Sequence, residues 1–533
     1  MSEPLRSLMY DVSTSTTTTS NCHQDARRPS IMSLAKSTPL LLVVLLLPRS
    51  GAFHSSLYRI QTPRISLASK TSYHTLSGAR QHNDDGNKSR KTTVASQAAL
   101  IAGTTIGGGF LALPAATAPC GALPSALGLI AVWIYLLGCS LSFANAIFLM
   151  KGSSIITNDT EKTTRNEDKD DCEISIFSLV RECFGNTAGF ASGLLFLLLT
   201  KATLVAQLSK IGVILESNTV VFSGIQRGHW TILFSFIVTT TCLVVKQRNI
   251  ERINDVLTST MLLSFATLIA LAGRTGWRID GLKRSCFKSL FPSLGHARNT
   301  APMTWVVPIF IQLLLHNEVV PLVSARLGDE KKVRRALIYG SFIPLLMCLI
   351  WSCVSLGIVP YEPPMGGGLA KYDPLSSLGE RVLLKGSSGS IIGKLFLTSV
   401  NTMACSAICT TVFGSILATT QYLDDVITNS FGARRHATAT NIFKHVFAIV
   451  PSSMIAVLGS SELFYHATAF AGEFPCTLLF GLIPPLCNLR LRWKKKEQRG
   501  EQEKAMQLKD VTVQIFLALV SVAIIAACRM SKV

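Results

Sequence analysis

Residues 102–114 read AGTTIGGGFLALP, an apolar run of membrane-entering character with three consecutive glycines in its middle. Glycine costs a helix about 1 kcal/mol per residue relative to alanine, so this triplet needs a reason. One reading is a close-packed helix crossing, in which small residues let two backbones approach. The other is a deliberate break. In hydrocarbon an unpaired backbone group costs several kcal/mol, so a break persists only where it lines a cavity or meets a ligand. A break at Gly107–Gly108–Gly109 would turn carbonyls near Ala102 to Thr105 and amides near Gly109 to Leu111 into one small space. The amide end of a half-helix suits a carboxylate and the carbonyl end suits an ammonium or other cation. A zwitterionic α-amino acid carries both charges, and glycine lets it reach the backbone.

The surrounding composition bears on the choice. Of the 533 residues, 48% are hydrophobic and only 15% charged, against about 25% charge in soluble domains. The apolar residues form long blocks, the pattern of a helical polytopic membrane protein and not of an alternating barrel. About eleven blocks are expected as spans: 95–118, 123–150, 184–215, 230–246, 253–273, 301–323, 336–359, 390–421, 442–459, 461–489 and 511–528. Spans one to five and six to ten make two halves. Span six, PIFIQLLLHNEVVPLVS, carries His316, Asn317, Glu318 and Pro321 within an apolar run. A discontinuity at corresponding places in two halves points to a transporter's binding site.

The net charge of +20 resides in connectors and in the N-terminal region. No basic face interleaved with aromatics is present, so no nucleic-acid partner is expected. The connectors KQRNIER, SARLGDEKKVRRA, FGARRHATATNIFK and LRLRWKKKEQRGEQEK follow even-numbered spans, which places them together on the inner side. The connector RTGWRIDGLKRSCFKSLFPSLGHARN is a basic exception on the other side.

Residues 1–93 are expected to be a targeting presequence and linker ahead of a single membrane domain over 94–533. Residues 32–52 have the layout of a secretory signal core, too short to span a bilayer, and 53–93 form a Ser/Thr/Arg/Lys-rich, transit-like segment. A signal core followed by Ala52-Phe53 and a transit-like stretch resembles the bipartite plastid presequence of algae with complex plastids. A plastid envelope membrane is therefore expected, with a secretory-pathway membrane as the alternative. Either Met1 or Met32 starts the chain.

Taken together, these residues resemble the hydroxy and aromatic amino acid permeases, the tyrosine/tryptophan-specific transporters of the amino acid/polyamine/organocation superfamily. The match covers about Val94 to Cys528, and GTTIGGGFLALP is its most specific part. Supporting it are the span-six His followed by a proline, LGDEKKVRRALIYGSFIPL, and FAGEFPCTLLFGLIPPL in span ten. The resemblance implies an all-α membrane protein with the leucine-transporter fold: five plus five inverted helices, an eleventh helix, and broken helices one and six. It also implies aromatic amino acid transport by alternating access with proton coupling. It places Thr105, Ile106, Gly107, Gly108 and Gly109 on the substrate backbone, with Leu315 and His316 near the second break.

Lys201 in span three and Glu473 in span ten depart from the family pattern, and QLLLHNE in span six lacks the small or aromatic residue expected before His316. Ionisable groups at membrane depth need a partner or a role, so His316, Glu318, Lys201 and Glu473 are the proton-coupling candidates. A structural Lys–Glu pair or a snorkelling lysine is the competing reading. Ser406, Thr410 and Thr411 in span eight are candidates for a sodium ion, although such hydroxyls commonly bond their own helix. A transporter of small neutral amino acids and a transport-inactive receptor of the same fold remain alternatives.

Enzymatic chemistry has no constellation behind it. GSSGSIIGKL, 386–395, lacks phosphate-loop spacing and a following Ser or Thr. Neither a Gly-x-Ser-x-Gly elbow nor a His-Glu-x-x-His helix occurs. The 14 cysteines show no metal spacing, and Cys405 and Cys409 read as small apolar residues one turn apart. No cofactor or metal is expected; the partners are a small amino acid and the lipid bilayer.

Overall fold

The computed structural model describes residues 93–158, 174–218, 226–274, 280, 282–283, 303–358, 391–431, 438–460, 462–499 and 508–530. The expected signal core, Phe53, both candidate start sites and nearly all of the transit-like segment lie outside the described residues. So do the acidic connector after span two and most of the basic connector before span six.

Thr93 opens the first helix by accepting a hydrogen bond from the Ser96 amide at 3.2 Å, an N-cap. The helix, α1, covers Val94–Thr105. A 3-10 turn, Gly108–Ala112, leads into α2, Leu113–Cys120, and the two halves meet at a bend of 50°. Then follow α3 (Ala122–Asn158), α4 (Ile176–Phe184), α5 (Asn186–Asn218), α6 (Arg227–Val244) and α7 (Gln247–Ala272). The second half begins with α8 (Met303–Leu313), a 3-10 turn at Asn317–Val319, and α9 (Val320–Leu327). It continues with α10 (Glu330–Ile358), α11 (Ile391–Phe431), α12 (Thr438–Leu458) and α13 (Leu463–Ala471). A π-helical segment, Gly472–Leu482, passes into α14 (Ile483–Arg499), and α15 is Leu508–Met530.

Nine helices among the described residues are long and apolar enough to cross a membrane, and the bent pair α1–α2 makes ten. The expected span four is α6, whose 18 residues reach roughly 27 Å. It is not among those nine helices, since it carries Arg227, His229 and the run Thr239-Thr240-Thr241; the count among the described residues is therefore ten and not the expected eleven. The short helix α4 was not anticipated as a separate element: Ser175 caps it by accepting from the Ser178 amide at 3.2 Å, and Gly185, with φ of 90°, ends it.

α5 runs through the centre of the bundle, touching α4, α6, α11, α12 and α13. α1 packs on α10, and α7 on α11. The α1–α10 crossing is close enough that a Cβ on Gly340 would lie 2.7 Å from Ile101 Cβ and 2.8 Å from the Ala98 carbonyl. In the π-helical segment Pro475 cannot donate the bond an α-helix needs. The wider i→i+5 register accommodates it, with Thr477 Oγ1 donating to Gly472 O at 2.6 Å. Exposed Phe236, Leu263, Met454 and Phe516 give the bundle an apolar outer surface.

Candidate functional site

The first break is a gap between two hydrogen-bond ladders. The α1 ladder closes with Ile106 N–H donating to Ala102 O at 3.3 Å, and the next begins with Phe110 N–H donating to Gly107 O at 3.1 Å. Ile106 and Gly107 between them have extended backbones. The amides of Gly107 and Gly109 thus fall outside both ladders, as do the carbonyls from Gly103 to Ile106. The Gly108 amide is taken: it donates to Thr411 Oγ1 of α11 at 2.8 Å.

The second break lies opposite, between α8 and α9. Here the last α8 bond is Leu314 N–H to Phe310 O at 3.0 Å, and the next is Val319 N–H to His316 O at 3.4 Å. His316 and Asn317 are 2% and 0% exposed, and their side chains fasten the break to α3 and to the π-helical segment. His316 Nε2 lies 2.8 Å from Ser140 Oγ, and Nδ1 lies 2.9 Å from Leu314 O. Ser140 Oγ is also 2.7 Å from Asn317 Oδ1. Asn317 Nδ2 donates to Phe480 O at 3.2 Å.

Between the breaks lies a cavity of about 620 Å³. Thr105, Ile106, Gly107 and Gly109 line it from the first break; Leu315 and Glu318 line it from the second. Glu318 lies inside the bundle yet is exposed by surface area, because its free surface faces this cavity. Phe110, Phe143 and Phe480 supply aromatic wall, and Thr203, Thr410 and Thr411 supply hydroxyls. Glu318 and Asp255 are the charged side chains among the described lining residues, with no lysine, arginine or histidine beside them. The cavity continues past Leu100, Asn254 and Ser259 to Phe177 of α4 and Gln421 of α11, the end of the bundle where α1 and α7 begin. Among the described residues none of α2 lines it, and Phe110 stacks on Trp351 with ring centroids 5.7 Å apart.

The remaining candidates sit elsewhere. Gly108 is buried beside the cavity, and a Cβ there would collide with the Gln207 amide. His316 is behind the wall, with both ring nitrogens engaged. Glu473 is buried at the start of the π-helical segment, next to Gly472, where a Cβ would collide with Pro308 O of α8. Lys201 faces α12: its ammonium donates to Phe447 O, and to Ala448 O at 2.5 Å, and lies 4.7 Å from the Phe447 ring centroid. Phe447 O is the carbonyl that residue 451 would satisfy in an unbroken helix. Residue 451 is Pro451, which has no N–H, so Lys201 fills the vacancy in the ladder.

In span eight, Thr411 Oγ1 donates to Ala407 O at 2.8 Å while accepting from Gly108, and Thr410 Oγ1 donates to Ala407 O at 2.9 Å. Ser406 Oγ donates to Thr402 O. Among the described residues no group of three His, Cys, Asp or Glu side chains could hold a metal ion.

Sequence reasoning missed Gln207, Gln312 and Asn254. All three line the cavity, and each has a buried side-chain oxygen without a hydrogen-bond partner. A buried amide oxygen left this way costs about 1–3 kcal/mol. A glutamine inside an apolar span is a signal in its own right, and both Gln207 and Gln312 occupy one.

The chain matches the model of the tryptophan/tyrosine permease family over residues 90–527. It is 21% identical over 425 residues to tyrosine-specific transport system 1 of Haemophilus influenzae, covering 79% of this chain and 92% of that one. With tyrosine-specific transport system 2 of the same organism it shares 23% identity over 395 residues, 73% of this chain and 86% of that one. Among solved structures, MhsT in complex with L-phenylalanine superposes with a TM-score of 0.52 at 15% identity, covering 82% of this chain and 98% of that one. That likeness gives the architecture: the leucine-transporter fold, with helices one and six broken.

Proposed function

The chain belongs to the tryptophan/tyrosine permease family, and on that footing we propose that it is a proton-coupled carrier of aromatic amino acids working by alternating access. It is an integral, multi-pass membrane protein, and its family and relatives are transporters, not enzymes. The observation that carries the reading is the cavity flanked by both breaks. The amides of Gly107 and Gly109 suit a carboxylate, and the carbonyls of Thr105 and Ile106 suit an ammonium. Phe110, Phe143 and Phe480 offer aromatic surface. The volume of about 620 Å³ falls in the range of small-molecule sites.

A cavity whose described lining reaches the end where α1 and α7 begin supports an inward-open state. Exchange with an outward-open state then requires the half-helices to rock about the two breaks. The hydrogen-bond count around His316 supports proton coupling. Leu314 O accepts, so Nδ1 must carry a hydrogen. In neutral His316, Nε2 then accepts from Ser140, whose single hydrogen is no longer available to Asn317 Oδ1. With a second proton on the ring, Nε2–H donates to Ser140 Oγ, which frees the hydroxyl hydrogen for Asn317 Oδ1 or for Leu136 O of its own helix, 2.8 Å away. Glu318, two residues on and facing the cavity, links this group to the substrate. Sodium is the weaker reading, since Thr411 Oγ1 is already used by the Gly108 amide.

The leader over 1–93 supports placement in a plastid envelope; fusion of these residues to a fluorescent protein tests it. The function itself is tested by uptake of labelled tyrosine, tryptophan, phenylalanine, leucine and serine into proteoliposomes, with and without an inward proton gradient. Gradient-driven accumulation of the aromatic three is expected. Accumulation of serine in preference to tyrosine would transfer the assignment to small neutral amino acids.

A further inference from the structure

Gln207 and Gln312 place one unpartnered oxygen at each break. Gln207, on α5, is 2% exposed, lines the cavity, and lies so close to the first break that a Cβ on Gly108 would strike its amide. Gln312 stands on the last turn of α8, just before the second break. Its orientation is fixed by hydrogen-bond accounting. Thr203 Oγ1 donates to Leu199 O at 3.0 Å, so it can only accept from Gln312, whose Nε2 lies 3.3 Å away. The nitrogen therefore faces Thr203 and the oxygen is left for the cavity. Thr203 and Gln207 are one turn apart on the same face of α5, so this helix carries Gln207 and, one turn away, holds Gln312 of α8 through Thr203.

We propose that Gln207 and Gln312 are specificity-determining residues that read the N–H groups of the substrate's ammonium, so that primary amino acids are accepted and N-methylated ones refused. This rests on the amino-acid reading above. Buried acceptors demand donors. The lining charges are both acidic, which favours a cation in this space. The carboxylate is left to the amides of Gly107 and Gly109. An ammonium with its full set of hydrogens serves both glutamines and one backbone carbonyl. Each methyl group replaces a donor with a C–H and strands an oxygen, and a site built around hydrogen bonds rejects such analogues strongly.

The test is competition against labelled L-tyrosine on the full chain in lipid nanodiscs, using L-tyrosine, N-methyl-L-tyrosine and N,N-dimethyl-L-tyrosine. In the unaltered protein, the dimethyl compound is expected to compete about 10- to 100-fold more weakly than tyrosine, with the monomethyl compound between. Gln207→Leu and Gln312→Leu weaken tyrosine by a comparable factor and shrink the penalty for methylation, whereas Gln207→Glu, which keeps the acceptor, retains it. Without ligand, Gln207→Leu melts no lower than the parent, because an orphaned oxygen has been replaced by apolar atoms. Dimethyl-tyrosine competing within about twofold of tyrosine in the unaltered protein overturns the proposal even if both leucine variants fail to fold. Absence of saturable tyrosine binding overturns the amino-acid reading, and this assignment with it.

Discussion

Gly108 shows how much one missing methyl group does here. Its amide holds Thr411, and its empty Cβ position is where the Gln207 amide rests. Gly108→Ala meets the far end of a side chain and not backbone, so the fold survives while Gln207 is displaced; tyrosine affinity is expected to fall at least about tenfold with melting temperature little changed. Glycines alone do not predict such an effect: a Cβ on Gly152 meets nothing within 4 Å, so Gly152→Ala should bind tyrosine normally. The network behind the second break is separable from binding. Ser140→Ala removes the hydroxyl that joins His316 to Asn317, so uptake should lose its response to a proton gradient while tyrosine–tyrosine exchange persists. Equal loss of both would assign the network a structural role only.

At the level of the helix, the Lys201 contact accounts for an ionisable group that the sequence left between a coupling role and a structural one. Its ammonium completes the ladder of α12 where Pro451 interrupts it. Lys201→Met should strand Phe447 O and cost about 1–3 kcal/mol, read as earlier unfolding on heating. Pro451→Ala restores an N–H at that position, so adding it to Lys201→Met should recover part of the loss. If the double variant is no more stable than Lys201→Met, the lysine acts through something other than the vacant carbonyl. Both breaks were legible in the sequence, because a glycine triplet and a His-Asn-Glu run contradict the apolar segments holding them. Gln207 was not: a lone glutamine in a long apolar helix reveals neither its face nor its neighbour until Gly108 is seen opposite. The separate α4 was also hidden, since Gly185 divides what reads as a continuous approach to span three.

Across the whole molecule, the described lining of the cavity joins both breaks to the end of the bundle where α1 and α7 begin. Ser259 lines this route and is exposed, so Ser259→Cys should add labelling by an impermeant maleimide, above that of the parent chain, from the side carrying the basic connectors and not from the other. Added labelling from the opposite side alone would reverse the orientation. The two-half organisation was readable because apolar blocks and basic connectors alternate. The direction of the opening was not, because it depends on how α1, α7 and α11 pack and on the Phe110–Trp351 stack. The most direct measurement of the central claim is equilibrium binding of labelled L-tyrosine to the purified full chain, beside Gly108→Ala and Gly152→Ala. A single saturable site, weakened at least about tenfold in the first variant and kept in the second, is predicted; equal binding by both variants, or none by the parent chain, would contradict a substrate site built on the broken helices.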